Sequence, residues 1–307
     1  MASAAKRLGP GTDLLLAISL AVVAAAPLLA QTHPAAPAPM TKITKKVLVI
    51  SDLEGVDGIF NFDEQCIPFK SPLYSESRKL LTAEVNAAVE GLRAGGARAI
   101  VVYDNHYGGH NLSALTIDPN VQLLSGGPVS PTLGLDSSYE ALVFIGLHSM
   151  AGTPDGVLPH SFTWDIQNIW VNGKKVGEIG ARVMLAGELG IPAIMLSGDA
   201  AACREFKALA PDGECAIVKR AASHTGGYTL PSAAAANLIR GQARLAMEHL
   251  ASMKPYPMSG PAVVRVEYSN TANPNIASGP GVKRIDGRTW EFSGPDFVTA
   301  WLKFRTF

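Results

Sequence analysis

The chain has 307 residues, in which 26 lysines and arginines balance 26 aspartates and glutamates. A formal charge of zero with no long run of like charge excludes the positive field that nucleic acid or an anionic membrane surface requires, so neither is an expected partner. The three cysteines, Cys66, Cys203 and Cys215, allow at most one disulfide and include no Cys-x-x-Cys pair, so any metal must find oxygen and imidazole ligands.

Residues 1–30 place Lys6 and Arg7 ahead of the apolar stretch Leu14 to Leu29 and finish in small residues, the layout of a secretory signal peptide. An uncleaved membrane anchor is the rival reading, weakened by Pro27 and the Ala-rich end. Cleavage would leave an exported, periplasmic or extracellular protein with no stable membrane partner. Residues 31–45, rich in Pro and Ala, read as a flexible linker.

From Lys46 onward, short β-branched runs alternate with Ala- and Leu-rich stretches, which predicts an α/β fold with a mostly parallel sheet flanked by helices. Strands are expected at Val47–Ile50, Ala99–Tyr103, Leu142–Ile145 and Ala193–Leu196. Between the first two, Leu80, Leu81, Val85, Ala88 and Leu92 recur at helical spacing over Ser75–Ala94, and Gly95-Gly96 stops the helix. Asn172-Gly173 between Ile169–Val171 and Lys174–Val176 predicts a hairpin, with a helix over Ile179–Leu189 after it. A long amphipathic helix is expected over Pro231–Met253. A smaller C-terminal α+β portion should follow, with a strand from Ala262, a hairpin around Ser278–Gly287 and a helix over Asp296–Phe304. The domain reading is a metal-binding catalytic domain over 46–255, with 256–307 packed on it.

The expected strands run into polar residues. Val47–Ile50 leads to Asp52 and Glu54, Ala99–Tyr103 to Asp104, Asn105 and His106, and Leu142–Ile145 to His148. In open α/β sheets, ligands bind in the crevice at the carboxyl ends of the strands, so these groups should converge. Asp52 and Glu54 stand two apart, which in extended backbone turns both carboxylates to one side, and Gly55 and Gly58 let the chain turn there. Ionised carboxylates removed from water lose hydration worth several kcal/mol each unless cations neutralise them. Asp52, Glu54 and Glu178 supply three negative charges and two divalent ions four positive, leaving one for a bridging hydroxide. With His106 and His148 added, each ion gains imidazole ligands and keeps an open position. Such a donor set suits zinc best, with manganese, cobalt and nickel also compatible. His160 is a candidate for proton transfer or covalent participation, and Lys219 for holding an oxyanion or a substrate carboxylate. Taken singly, each residue has a plainer reading: Asp52 and Asp104-Asn105 as caps or turn formers, Glu178 as a favourable charge at a helix start, His148 as a core histidine.

The segments Ser51-Asp52-Leu53-Glu54-Gly55-Val56-Asp57-Gly58, Asp104-Asn105-His106, Gly146-Leu147-His148, Pro159-His160-Ser161 and Val176-Gly177-Glu178-Ile179-Gly180, in this order, closely resemble the zinc-dependent D-aminopeptidases of the DppA type. The likeness runs from about Lys46 to the C-terminus and includes Leu81-Thr82-Ala83-Glu84-Val85-Asn86 and Ala216-Ile217-Val218-Lys219. The resemblance implies two zinc ions per subunit, with Asp52 bridging them, Glu54 and His148 completing one site, and His106 and Glu178 the other. It also implies that His160 is catalytic, as nucleophile or as proton carrier beside a metal-activated hydroxide. The substrates it implies are short peptides with an N-terminal D-residue, notably D-alanine, and the assembly a ring-shaped decamer. The export segment and His224, in a position where the family suggests arginine, are departures. A secreted solute-binding protein for short peptides and a metallohydrolase of a different bond are the competing functions.

Overall fold

In the computed structural model, residues 45–127, 132, 134–271, 276 and 278–305 are described, all within one compact unit that spans Lys42–Phe307. The expected signal peptide, residues 1–30, and the linker up to residue 44 lie outside them. Among the described residues, no helix is long and apolar enough to cross a membrane.

The first half contains β1 (Lys46–Ser51), α1 (Phe62–Gln65), α2 (Tyr74–Ala94), β2 (Ala99–Asp104), β3 (Gln122–Leu124), β4 (Ala141–Leu147), β5 (Ile166–Val171), β6 (Lys174–Val176) and α3 (Glu178–Glu188). The second contains β7 (Ala193–Asp199), α4 (Ala200–Lys207), β8 (Glu214–Ser223), β9 (Gly226–Thr229), α5 (Ser232–Glu248), β10 (Ala262–Tyr268), β11 (Val282–Arg284), β12 (Thr289–Gly294) and α6 (Phe297–Arg305).

Seven strands form the main sheet in the order β3-β2-β1-β4-β7-β8-β9, parallel throughout except for the closing β8–β9 pair. Its central strands are apolar on both faces because both faces are covered. Val47, Val49, Val143 and Ile145 pack into one buried cluster with Leu81, Val85 and Ile239, while Leu48, Ile50, Leu142 and Phe144 pack into another with Ile179, Val183 and Val264. The chain passes from β1 outward to β2 and β3 on one side, then crosses back to β4 on the other side of β1, so the sheet reverses its winding between β1 and β4. A reversal of that kind opens a crevice at the strands' carboxyl ends.

A second, antiparallel sheet runs β11-β12-β10-β5-β6. Asn172 and Gly173, with φ of 49° and 80°, make the tight β5–β6 turn in the left-handed conformations that an Asn-Gly hairpin favours. β10 pairs with β5, Val264 opposite Val171, so this sheet draws strands from both sides of residue 255. Its role at the site is to deliver Glu178, which follows β6 and begins α3.

Candidate metal centre and active site

Three neighbouring parallel strands, β2, β1 and β4, end at one level and feed the site. β1 exits into Asp52 and Glu54, β2 into His106, and β4 into His148. Two glycines allow the β1 and β4 exits to touch. A side chain on Gly55 would fall 2.1 Å from the Leu147 carbonyl oxygen, and one on Gly146, where φ is +72°, would fall 2.2 Å from the Asp52 carbonyl oxygen. The Asp52 and Gly55 amides donate to the Ile145 and Gly146 carbonyls, each at 2.8 Å, and seal the junction.

All six expected site residues are buried in one volume: Asp52, Glu54, His106, His148, His160 and Glu178. His106 Nε2 lies 3.2 Å from Glu54 Oε1; His148 Nε2 lies 3.4 Å from Glu178 Oε1 and 3.9 Å from Asp52 Oδ2. His160 Nε2 approaches Glu54 Oε1 at 3.9 Å. Ligand atoms of Asp52, Glu54 and His148 lie within 4.8 Å of one another, as do those of His148, His160 and Glu178. His148 therefore stands at the centre, against Glu178 as well as Asp52 and Glu54, while His106 sits against Glu54. The resemblance instead divides the donors with His106 and Glu178 together.

Each imidazole is oriented by its other nitrogen. His106 Nδ1 bonds Asn111 Oδ1 at 3.0 Å, His148 Nδ1 the Ser149 carbonyl at 3.1 Å, and His160 Nδ1 the Leu158 carbonyl at 2.9 Å. A carbonyl acceptor fixes a proton on Nδ1, so Nε2 is the nitrogen whose lone pair faces the cluster once its own proton is displaced, the arrangement metal-binding histidines require. Asn111 is itself anchored, its Nδ2 donating to Asp104 Oδ1 at 2.7 Å and to the His106 carbonyl at 2.6 Å. Asp104 further accepts the Asn111 and Leu112 amides. Asp104 thus supports the support of His106, a role with more specificity than a turn former, and Asn111 carries no local sequence signal at all.

The electrostatics demand positive charge. For Asp52, burial together with Glu54 and Glu178 raises the carboxyl well above its usual range. Burial would raise Glu54 too, but His106 outweighs it and holds Glu54 well below that range. For Glu178, burial is likewise overcome, by Arg182 at 2.8 Å and by His148. Burial would lower the two histidines, yet their carboxylate neighbours lift His106 to about 9 and His148 to about 10. Protons on these imidazoles occupy the electrostatic position that a metal ion takes when it displaces them. The residues fit such an ion: Glu54 Oε2, His106 Nε2 and His148 Nε2 are buried without a hydrogen-bond partner, and all three are ligand-type atoms aimed into the same volume. His160 differs, since burial and His148 keep its pKa below the ordinary value.

The Lys219 expectation needs correction. Its buried ammonium donates to the backbone carbonyls of Glu54, Val56 and Ile59, which uses all three N–H groups and leaves none for an oxyanion or a substrate carboxylate. Lys219 instead clamps the 54–59 loop from beneath, and burial lowers its pKa to about 8. His224 lies outside the cluster, its Nε2 against the Pro154 carbonyl at 3.1 Å. From α4, Glu205 accepts the Met150 amide at 2.9 Å and braces the segment after His148.

The D-aminopeptidase family profile, Peptidase_M55, matches residues 45–306, the full extent of both sheets and the site. The chain belongs to this D-aminopeptidase family. Its members are hydrolases, and the fold agrees with a solved relative, the zinc-dependent D-aminopeptidase DppA of Bacillus subtilis, described as a self-compartmentalizing protease. That structure superposes with a TM-score of 0.80 at 26% sequence identity, over 85% of this chain and 96% of the other. A curated D-aminopeptidase of Bacillus subtilis (strain 168) is 28% identical over 260 residues, covering 83% of this chain and 94% of the relative. As a family member the chain is an enzyme of the peptidase class, and a carrier role loses its footing.

Proposed function

We propose that the chain is an exported aminopeptidase that removes N-terminal D-residues such as D-alanine from short peptides, using two zinc ions per subunit held by Asp52, Glu54, His106, His148 and Glu178. The observation that carries this reading is the convergence of orphaned Nε2 and carboxylate atoms from three adjacent strand ends upon one buried volume. When bound there, zinc supplies a Lewis acid for the peptide carbonyl and brings the pKa of bound water from 15.7 toward about 7. His106 and His148 present Nε2 lone pairs, and their Nδ1 partners keep those rings from turning. Arg182 keeps Glu178 ionised, and Lys219 fixes the loop that carries Glu54.

His160 is the catalytic residue in this reading. Its Nδ1 is held by the Leu158 carbonyl and its Nε2 faces the cluster, so Nε2 is the atom that accepts and returns a proton during amide cleavage. Burial first, and then His148, hold its pKa below the ordinary histidine value, which favours the neutral ring that can accept a proton. The Lys6, Arg7 and Leu14 to Leu29 pattern supports export, as does the Cys203–Cys215 disulfide, since such bonds persist in oxidising compartments. Assembly into a closed homo-oligomer, a decamer by resemblance, is supported by the self-compartmentalizing relative.

The test is one preparation assayed for metal content and for hydrolysis of D-Ala-D-Ala and L-Ala-L-Ala, before and after chelation. About two zinc ions per chain, D-selective cleavage and loss of both on chelation are expected. Metal-free protein with full activity, or cleavage confined to the L-peptide, would overturn the reading. N-terminal sequencing of the mature protein tests export; an intact Met1 in a soluble cytoplasmic fraction refutes it.

A further inference from the structure

Outside the polar cluster, the wall of the site is aromatic. Trp164 lies nearly parallel to His160, with centroids 4.6 Å apart and planes at 21°, while His148 stacks on His160 at 3.9 Å. Phe62, the first residue of α1, meets Trp164 edge-on at 5.2 Å and stands 6.4 Å from His160 and 6.3 Å from Tyr107. Tyr107 in turn leans on His106 at 5.5 Å. The three rings come from three separate segments and form a continuous arc between His160 and His106.

This arc contributes little to folding, because Trp164 is 55% and Tyr107 60% exposed. It is nevertheless held at a cost. Tyr107, Leu158 and Phe162 have φ of 47°, 48° and 61°, so of the six described non-glycine residues in the left-handed region one carries a ring of the arc and two lie within two residues of His160 or Trp164. Such conformations cost about 1 kcal/mol or more each and cluster where the surrounding structure serves a site. The geometries are mixed, with Phe62 edge-on to Trp164 at 84° and to His160 at 71°, tilted at 43° to Tyr107, and Trp164 stacked on His160 at 21°, rather than three faces turned to a common centre as in a cation cage. Offset-stacked and edge-to-face contacts of this kind are the ones a further aromatic ring makes.

We propose that Phe62, Tyr107 and Trp164 form a side-chain subsite that receives an aromatic residue of the peptide, adjoining the scissile bond. The inference rests on the peptidase reading and sharpens its substrate class: the methyl group of alanine leaves the arc in water, whereas an aromatic side chain on either flanking residue covers it.

The experiment uses the zinc-loaded full-length enzyme with D-Ala-D-Ala, D-Phe-D-Ala, D-Ala-D-Phe and D-Lys-D-Ala. At least one phenylalanyl peptide should exceed D-Ala-D-Ala in kcat/KM by about tenfold or more, the scale expected when a fitted apolar pocket is filled. In Trp164→Ala and Tyr107→Ala that ratio should fall toward unity, and Trp164→Phe should recover most of it. Zinc content and circular dichroism establish that each variant is folded and loaded. Equal kcat/KM for alanyl and phenylalanyl peptides overturns the proposal, as does a preference for D-Lys-D-Ala, which assigns the rings to cation capture. A Trp164→Ala enzyme that changes assembly size by light scattering while keeping the parent's ratio also overturns it, because the arc is then a subunit contact. If no peptide is cleaved, the peptidase reading fails and the subsite is judged by calorimetric binding of the same peptides to the zinc-loaded protein. Tighter binding of a phenylalanyl peptide sustains it, and equal binding ends it.

Discussion

Asn111 Oδ1 accepts a hydrogen bond from His106 Nδ1 at 3.0 Å, and Asn111 is held in that orientation by its own Nδ2 donating to Asp104 at 2.7 Å. The pair makes the tautomer of His106 a property of the loop after β2. Replacing Asn111 with leucine keeps the volume but removes the acceptor, freeing the ring to turn and to exchange its proton between nitrogens. Zinc affinity should fall about 10- to 100-fold, the usual effect of losing a partner behind a metal-binding histidine. Competitive zinc titration checks this, and an affinity equal to that of the parent would remove Asn111 from the account.

The ligands and His160 should separate in a double readout. His106→Ala and Glu178→Ala each remove a donor from the cluster, so zinc content and peptide hydrolysis should be lost together. His160→Ala should retain its zinc and lose turnover by about 100-fold or more, the lower scale for a general acid or base. Normal turnover in His160→Ala would assign proton transfer elsewhere.

Lys219→Met tests the clamp on the 54–59 loop. Methionine fills most of the space but leaves the Glu54, Val56 and Ile59 carbonyls without their shared donor. An unsatisfied buried polar group costs about 1–3 kcal/mol, so the variant should melt several degrees lower and bind zinc more weakly. If it instead melts with the parent and cleaves peptide with unchanged KM, the loop is held by its glycine contacts alone.

The sequence disclosed these parts unevenly, for physical reasons. β1, β2 and β4 were readable as uninterrupted apolar runs because both faces of a central parallel strand are covered, and Asn172-Gly173 announced its hairpin because few dipeptides tolerate two positive φ values. The crevice at their ends followed from strand direction. The pairing of β5 with β10 did not, since strands more than 90 residues apart carry no mark of their partner. The site shows the same divide. Asp52, Glu54 and His148 sit immediately beyond strands, where position alone suggests chemistry. Asn111 lies in a loop and acts through a side chain five residues earlier, and Lys219 looked like a substrate-binding cation because its three acceptors belong to backbone 160 or more residues away. Distance in sequence hid the groups that position other groups.

Glu84 offers a pH test that leaves the proposed ligands intact. This side chain of α2 is buried against the 54–59 loop, where Oε1 accepts the Asp57 amide at 2.9 Å and Oε2 accepts the Ser197 hydroxyl at 3.1 Å. Burial, reinforced by Asp57, raises its pKa from the usual 4.5 to about 8. Below the lower value both folded and unfolded chains carry the proton, and the stability it brings is fully present. Between about 4.5 and about 8 the unfolded chain releases that proton while the folded chain keeps it, so stability falls as pH rises through this window and levels off above it. Glu84→Gln, an uncharged near-isostere, should remove this slope. Urea unfolding of parent and variant at saturating zinc, from pH 5 to 8.5, gives a difference that reports the Glu84–Asp57 pair and cancels the histidines and the more distant carboxylates common to both. The variant should gain on the parent steadily toward high pH; a difference that stays constant across the range would mean that Glu84 is ionised in the folded protein and is neutralised by a partner other than its own proton.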